Sequence, residues 1–444
     1  MKEAMRRRSF LLASAALTLP ACSPASGPAP RPSIAPAPTL PTQTPPPPLA
    51  PPGPEAVPRS FRMSASWPGI KVETRITALH GHHLCGAVLR GDQDALSYPV
   101  VVDLRAHTTR VIQADGVGTF TTREIELELL QKYRHPSHEG PEIGTVLATG
   151  PAVLDDDHAY VIVARPLTAL HAPKEHAVIH LLKIALDDGT ITASTTVGES
   201  QHMVWLPTIH LNLSDDGASL LVSSSAPGDV IGLRLDKSDL SVQFDVHDLP
   251  DAPFIAVGDA LETRRRTPPD SLVLLTDGQS LPAPGGTHTF VVGHWHYRQE
   301  SDSGPVVLRD LTTGEDTALF GFPDRGLGFP AHSLAYPRVW SRQFVLAGKD
   351  SEDVHLPMSA WRVGEASPLL RWSVDERADV PGHAVFGDVL YITDSRTEDE
   401  LVLRSLRSGD ILGTTPIRWR EGGLAVNSWG IATAERFIPA DDWF

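Results

Sequence analysis

The chain has 444 residues, too many for a small scaffold stapled by disulfides and enough for several domains or one large repeat architecture. Hydrophobic residues make up 41% and charged residues 21%, which supplies a sizeable core. The net charge of −16 argues against strong nucleic-acid binding, because a phosphate backbone needs a partner of the opposite sign.

Residues 1–22 read MKEAMRRRSFLLASAALTLPAC, a basic segment followed by an apolar run from Phe10 to Leu19 and then by small residues and a cysteine. That order is an export signal, here assigned to residues 1–21. The apolar run is about half the ~20 residues a membrane-spanning helix needs, and no later charge-free apolar stretch reaches that length. The processed protein is therefore expected to have no transmembrane helix. Arg7, Arg8, Phe10 and Leu11 stand in Arg-Arg-Ser-Phe-Leu, which resembles the twin-arginine export motif. The resemblance implies passage across the membrane in a folded state, with the general export route as the alternative. Leu19-Pro20-Ala21-Cys22 resembles the lipobox of bacterial lipoproteins, departing from it at Pro20. It implies that Cys22 becomes the N-terminal residue and carries a diacylglyceryl thioether. Two or more acyl chains make a stable anchor, since each buried CH₂ contributes about 0.8 kcal/mol. Ser23 stands where an Asp would retain such a protein at an inner membrane. The expected location is the outer face of the cell membrane or the outer membrane.

Residues 22–58 are expected to be the lipidated cysteine and a disordered tether, with fifteen prolines between 24 and 58. Proline-rich chain is semi-rigid at about 3.1 Å per residue, so the tether could reach on the order of 100 Å. Only Cys22 and Cys85 are present. Once Cys22 is acylated, the body, residues 59–444, has one thiol and forms no internal disulfide.

From Arg59 onward apolar residues alternate or fall in short runs, so the body is read as all-β. The best helix candidate, residues 123–134, alternates at Ile125, Leu127 and Leu129 and reads equally well as a strand. One unit recurs: a short apolar strand, a tight turn and a second strand. It appears as Val100-Val-Val-Asp-Leu104 with its turn near 108, and as Leu181 to Leu186 with Asp187-Asp-Gly189. Three more are Val230 to Leu235 with Asp236-Lys-Ser-Asp239, Val306 to Leu311 with Thr312-Thr-Gly314, and Leu401 to Leu406 with Arg407-Ser-Gly409. The sixth is Ser359 to Val363 with Gly364. The turns fall 45–50 residues apart except for two longer gaps, which carry insertions or a concealed unit. A second motif sets an acidic turn before a strand, at Asp155-Asp-Asp157 and at Ser214-Asp-Asp-Gly217. These turns, and Leu311-Thr-Thr-Gly-Glu315, resemble bacterial β-propellers of the TolB-like, YVTN and pyrroloquinoline-quinone-repeat kinds.

The resemblance implies a β-propeller, whose blades bury both faces only by stacking around an axis. Seven blades fit the length best, with six or eight also compatible. The C-terminal strands are expected to complete the first blade and close the ring.

Candidate sites are few. His80 and His82 would share one strand face and His83 and Cys85 the other, while His294 and His296 flank Trp295 on one face. If the two pairs met at the channel mouth, His80, His82, His294 and His296 could hold copper or zinc. The acidic turns could hold calcium, although Asp and Gly also satisfy tight turns directly. There is no G-x-S-x-G, H-E-x-x-H, P-loop, Rossmann or C-x-x-C-H motif. Arg264-Arg-Arg266 is read as a solvated loop and the tryptophans as packing between blades. The preferred reading is a monomeric, membrane-anchored extracytoplasmic propeller that binds a protein partner or ligand through its loops, without catalysis of its own. The rival is a propeller enzyme, a metal-dependent lactonase-like hydrolase or a quinone- or metal-linked oxidoreductase, with histidine ligands in the axial channel.

Overall fold

A computed structural model describes residues 53–62, 74–89, 97–106, 108–112, 142–143, 148–168, 177–200, 209–226, 229–249, 254–263, 270–283, 288–299, 306–319, 344–348, 355–375, 383–393, 400–417, 424–433 and 437–444. The export signal with Arg7, Arg8, Phe10 and Leu11, the lipidation site Cys22, residues 123–134 and Arg264–Arg266 lie outside them. Among the described residues there is no α-helix, and no helix long and apolar enough to cross a membrane.

The described strands form eight antiparallel sheets that follow one another along the chain. The first runs Thr74–His80, His83–Leu89, Ser97–Asp103 and Thr108–Val111. The second, of five strands, is built on His158–Thr168 and Ala177–Ala185, with Ala148–Leu154 and Ile191–Ser200 beside them. The third spans His210–Leu213 to Val242–Asp245, the fourth Phe254–Ala256 to Ser280–Ala283, and the fifth His288–Val292 to Asp316–Leu319. The sixth has three described strands, Phe344–Gly348, His355–Arg362 and Leu370–Asp375. The seventh runs from His383–Phe386 to Ile411–Pro416. The eighth comprises Leu424–Asn427, Gly430–Thr433 and Phe437–Trp443, with Pro58–Phe61 from the other end of the chain added at its edge.

The alternation of each strand decides how the sheets stack, because successive side chains point to opposite faces. On His158–Thr168, Tyr160, Ile162 and Ala164 pack toward the third sheet with Leu211, Leu220 and Leu233. Ala159, Val161 and Val163 pack toward the first with Cys85 and Val101. A strand buried on both faces reads as an unbroken apolar run, as this one does. The same division recurs down the chain. Leu221 and Val246 meet Leu261 and Val273; Leu272 meets Val291; Phe290 and Tyr297 meet Trp361; and Leu370 meets Leu390. Tyr391 and Leu403 meet Val426 and Ile438. An eighth cluster joins Ala425, Ala432 and Phe437 of the last sheet to Leu84, Val100 and Val102 of the first. Each cluster is shared by two consecutive sheets, and the last sheet is consecutive with the first. Sheets stacked face to face in this way, about an axis rather than in two layers, are the arrangement of a β-propeller.

Two expectations differ from these pairings. Eight sheets stand where seven blades fitted the length best, because the longer gap between the turns at 238 and 314 conceals the fourth sheet, whose hairpin is Thr276-Asp-Gly278. The C-terminal strands do not complete the first sheet, which has four strands of its own. Instead Pro58–Phe61 pairs with Phe437–Trp443. Phe61 supplies the reason, since its buried ring packs edge-on 6.2 Å from Tyr391. Tyr391 also donates its hydroxyl to the Pro58 carbonyl at 2.6 Å. The described residues begin at Gly53, and Phe444 N–H donates to the Val57 carbonyl.

Candidate functional site

Within a sheet, the loop joining the first two strands and the loop joining the last two lie at the same end. The first of these loops is tight in most sheets: Gly81-His82, Asp156-Asp157, Gly258-Asp259, Gly293-His294, Gly387-Asp388 and Ser428-Trp429, with a longer Asp215-to-Ala218 loop in the third. One rim thereby collects histidine, aspartate and tryptophan side chains from successive sheets.

This geometry relocates the four histidines picked out in the sequence. Gly81 and Gly293 adopt φ of +51° and +57°, a left-handed backbone that lets a two-residue loop reverse the chain. His80 and His82 are therefore not neighbours on one strand face, and neither are His294 and His296. His80 ends one strand and lies 2.9 Å from Asp156 Oδ1 of the second sheet. His294 is exposed at its loop tip, its ring 4.7 Å from that of Trp295. His296 is 0% exposed within the fifth sheet, and neither ring nitrogen has a hydrogen-bond partner. Burial pushes its pKa down to about 4, helped by Arg298 and Arg309 and opposed by Asp316. Packing follows the ring of sheets, so the first sheet lies against the second and eighth and the fifth against the fourth and sixth. The structure does not gather His80, His82, His294 and His296 into one donor set.

A different set does converge. His82, His83 and Asp103 place one donor atom each within 4.8 Å of one another, the one such group of three among the described residues. His83 begins the second strand of the first sheet, directly opposite Asp103 at the end of the third. The His82 and His83 rings lie 4.0 Å apart, and His82 Nε2 is 3.9 Å from Asp103 Oδ1. That oxygen accepts the backbone N–H groups of Arg105 and Ala106, both at 2.8 Å, which fixes the carboxylate at the start of its turn. Burial lowers the His83 pKa, reinforced by the neighbouring His82 and opposed by Asp103. The loop itself is tied down twice: Leu104 N–H donates to the His82 carbonyl at 2.7 Å, and Asn427 Nδ2 of the eighth sheet donates to the Gly81 carbonyl at 2.6 Å. Trp429 closes the side, with its ring 6.2 Å from His82.

The acidic turns are held by internal bonds. Asp155 Oδ1 accepts from the N–H of Asp157 and His158, and its Oδ2 lies 3.0 Å from Lys237 Nζ. Burial pushes the Asp155 pKa up, but those hydrogen bonds, with Tyr160, outweigh it and hold the carboxyl low. Asp216 accepts from Ser214 Oγ and Ala218 N–H, which pull its pKa down. These carboxylates serve their turns.

On the same rim a cavity of ≈ 560 Å³ is lined by Asp215, Val292, Gly293, His294, Trp295, Arg362 and Val363. The walls come from the third, fifth and sixth sheets and combine an acid, a guanidinium, an imidazole and an indole. Arg362 Nε lies 3.8 Å from Glu365. Sequence reasoning found His82 and His294 and named His83 on the opposite strand face, but missed Asp103, Asp215 as a wall, and Arg362. The Gly-x dipeptide ahead of the second strand in the first, fourth, fifth and seventh sheets was the signal that could have placed His83 at the start of its strand.

No family model and no curated protein matches the chain. Solved structures similar to it include the β-propeller domain of the Trilobed protease from Pyrococcus furiosus, 13% identical over 76% of this chain and 99% of that one, TM-score 0.40. BamB from Moraxella catarrhalis is 12% identical over 67% of this chain and 98% of its own, TM-score 0.35. Apo AztD from Citrobacter koseri is 13% identical over 82% and 91%, TM-score 0.40. The assignment of fold rests on the strand pairing and the shared clusters, not on these likenesses.

Proposed function

We propose that the protein is a membrane-anchored, extracytoplasmic eight-bladed propeller that binds a partner protein or ligand on the rim carrying the Gly-x loops. The N-terminal strand Pro58–Phe61 closes the ring as the outermost strand of the last blade. A lipid on Cys22 anchors the protein at the membrane. The rim cavity carries this reading: three different blades contribute Asp215, Trp295 and Arg362 to one concave surface. An apolar ring flanked by groups of both charges can hold a partner's side chain while charged neighbours fix its orientation. Loops raised on a rigid scaffold are where binding residues gather.

The anchor is tested by fractionating cells that express the full chain with and without Cys22→Ser. The wild type is expected in the membrane fraction and the variant in the soluble exported fraction, at similar abundance. A variant that stays with the membrane removes the lipid anchor from this account.

A further inference from the structure

We propose that His82, His83 and Asp103 form a binding site for one divalent transition-metal ion of the kind that accepts imidazole and carboxylate together. Two imidazoles and a carboxylate suit zinc and its neighbours better than calcium or magnesium, which prefer all-oxygen sets. Three properties of this chain carry the inference. The donors are already close: all three atoms lie within 4.8 Å, so small side-chain rotations would bring them onto one ion. The donors are also positioned without help from an ion. His83 and Asp103 are cross-strand partners, the Asp103 carboxylate is pinned by two backbone N–H groups, and the His82 loop is fastened to Leu104 and Asn427. Finally, the site is partly sheltered, since His83 is buried and His82 and Asp103 are half-buried beside Trp429.

Packing alone does not account for the arrangement. The two imidazoles, 4.0 Å apart and tilted by 38°, make no hydrogen bond to the carboxylate, the His82–Asp103 approach being 3.9 Å, so the three polar groups converge without satisfying one another. Three protein donors leave a fourth position open to water or an incoming group, the pattern of an exchangeable site rather than a closed structural one. Nothing in this inference depends on a partner binding the rim.

The test is equilibrium dialysis of Zn²⁺ against the full chain in detergent, with Co²⁺ as a spectroscopic probe. Wild type is expected to take up one tight equivalent and to show cobalt ligand-field bands. His82→Ala and Asp103→Asn should each weaken binding by about tenfold or more and lose those bands. Asparagine keeps the oxygen that the turn requires, and His82 is half exposed, so metal-free melting temperatures should match wild type. His294→Ala, on a distant loop of the same rim, should bind as wild type does. Overturning results would be uptake by wild type no tighter than by a double His82→Ala, Asp103→Asn variant, or an unchanged cobalt spectrum in either single variant.

Discussion

A fully buried histidine with two unpartnered ring nitrogens costs stability, because its polar atoms gave up water and gained nothing. His296 is such a residue, and its depressed pKa converts that cost into a pH dependence. The unfolded chain titrates this ring near 6.5 and the folded one near 4. The unfolded state therefore binds more protons between those values. Its contribution is fully present above pH 6.5 and is lost as pH falls toward 4, by about 3 kcal/mol in all. His296→Leu, close in volume and without polar atoms, should unfold at the same or a higher urea concentration at pH 7.5. It should also lose less stability than wild type between pH 7 and pH 4.5, and parallel losses would contradict this reading. Sequence reasoning read His296 as a candidate metal ligand paired with His294. The decisive feature was Gly293, whose positive φ turns the chain and sends His294 to solvent and His296 into the core. Strand periodicity cannot show a reversal it does not expect, and the error at His80 and His82 has the same cause in Gly81.

At the scale of strands and hairpins, the sequence was more legible. All six hairpins read from it join the last two described strands of a sheet, and the acidic turns join Ala148–Leu154 to His158–Thr168 and His210–Leu213 to Ser219–Ala226. The fourth sheet escaped notice because Thr276-Asp-Gly278 lies closer to its neighbours than the 45–50-residue spacing of the clearest units. The closing strand escaped because Pro58-Arg-Ser-Phe61 is too short and too near the proline-rich segment to read as a strand. Yet Phe61 is 5% exposed and sits in a cluster with Tyr391, Leu403 and Ile438. Removing its ring forfeits both the transferred apolar area and the packing around it. Phe61→Ala should cost about 3–5 kcal/mol if the surroundings do not collapse, measured as a lowered denaturation midpoint. Proteolysis should then cut between the tether and the first sheet before the rest of the chain unfolds. A midpoint within experimental error of wild type would mean that Pro58–Phe61 contributes nothing to the ring.

For the molecule as a whole, the sequence supports a body of β-sheets, and the structure supplies what the rim looks like. Residues far apart in the chain, such as Asp215, His294 and Arg362, line one cavity because tight loops at equivalent places in different sheets share one end of the stack. No local pattern encodes that proximity. It follows only when the sheets are counted and ordered. Outer strands, by contrast, expose scattered apolar residues such as Val242 and Ile411, as sheet edges do without being binding surfaces. The central claim is that partners meet the rim and not the outer edge. Its most direct test places a photo-crosslinking amino acid at His294 or at Val242 of the full-length protein and irradiates living cells. The account predicts discrete adducts from position 294 and none from position 242; the same adducts from both positions, or none from 294, would contradict it.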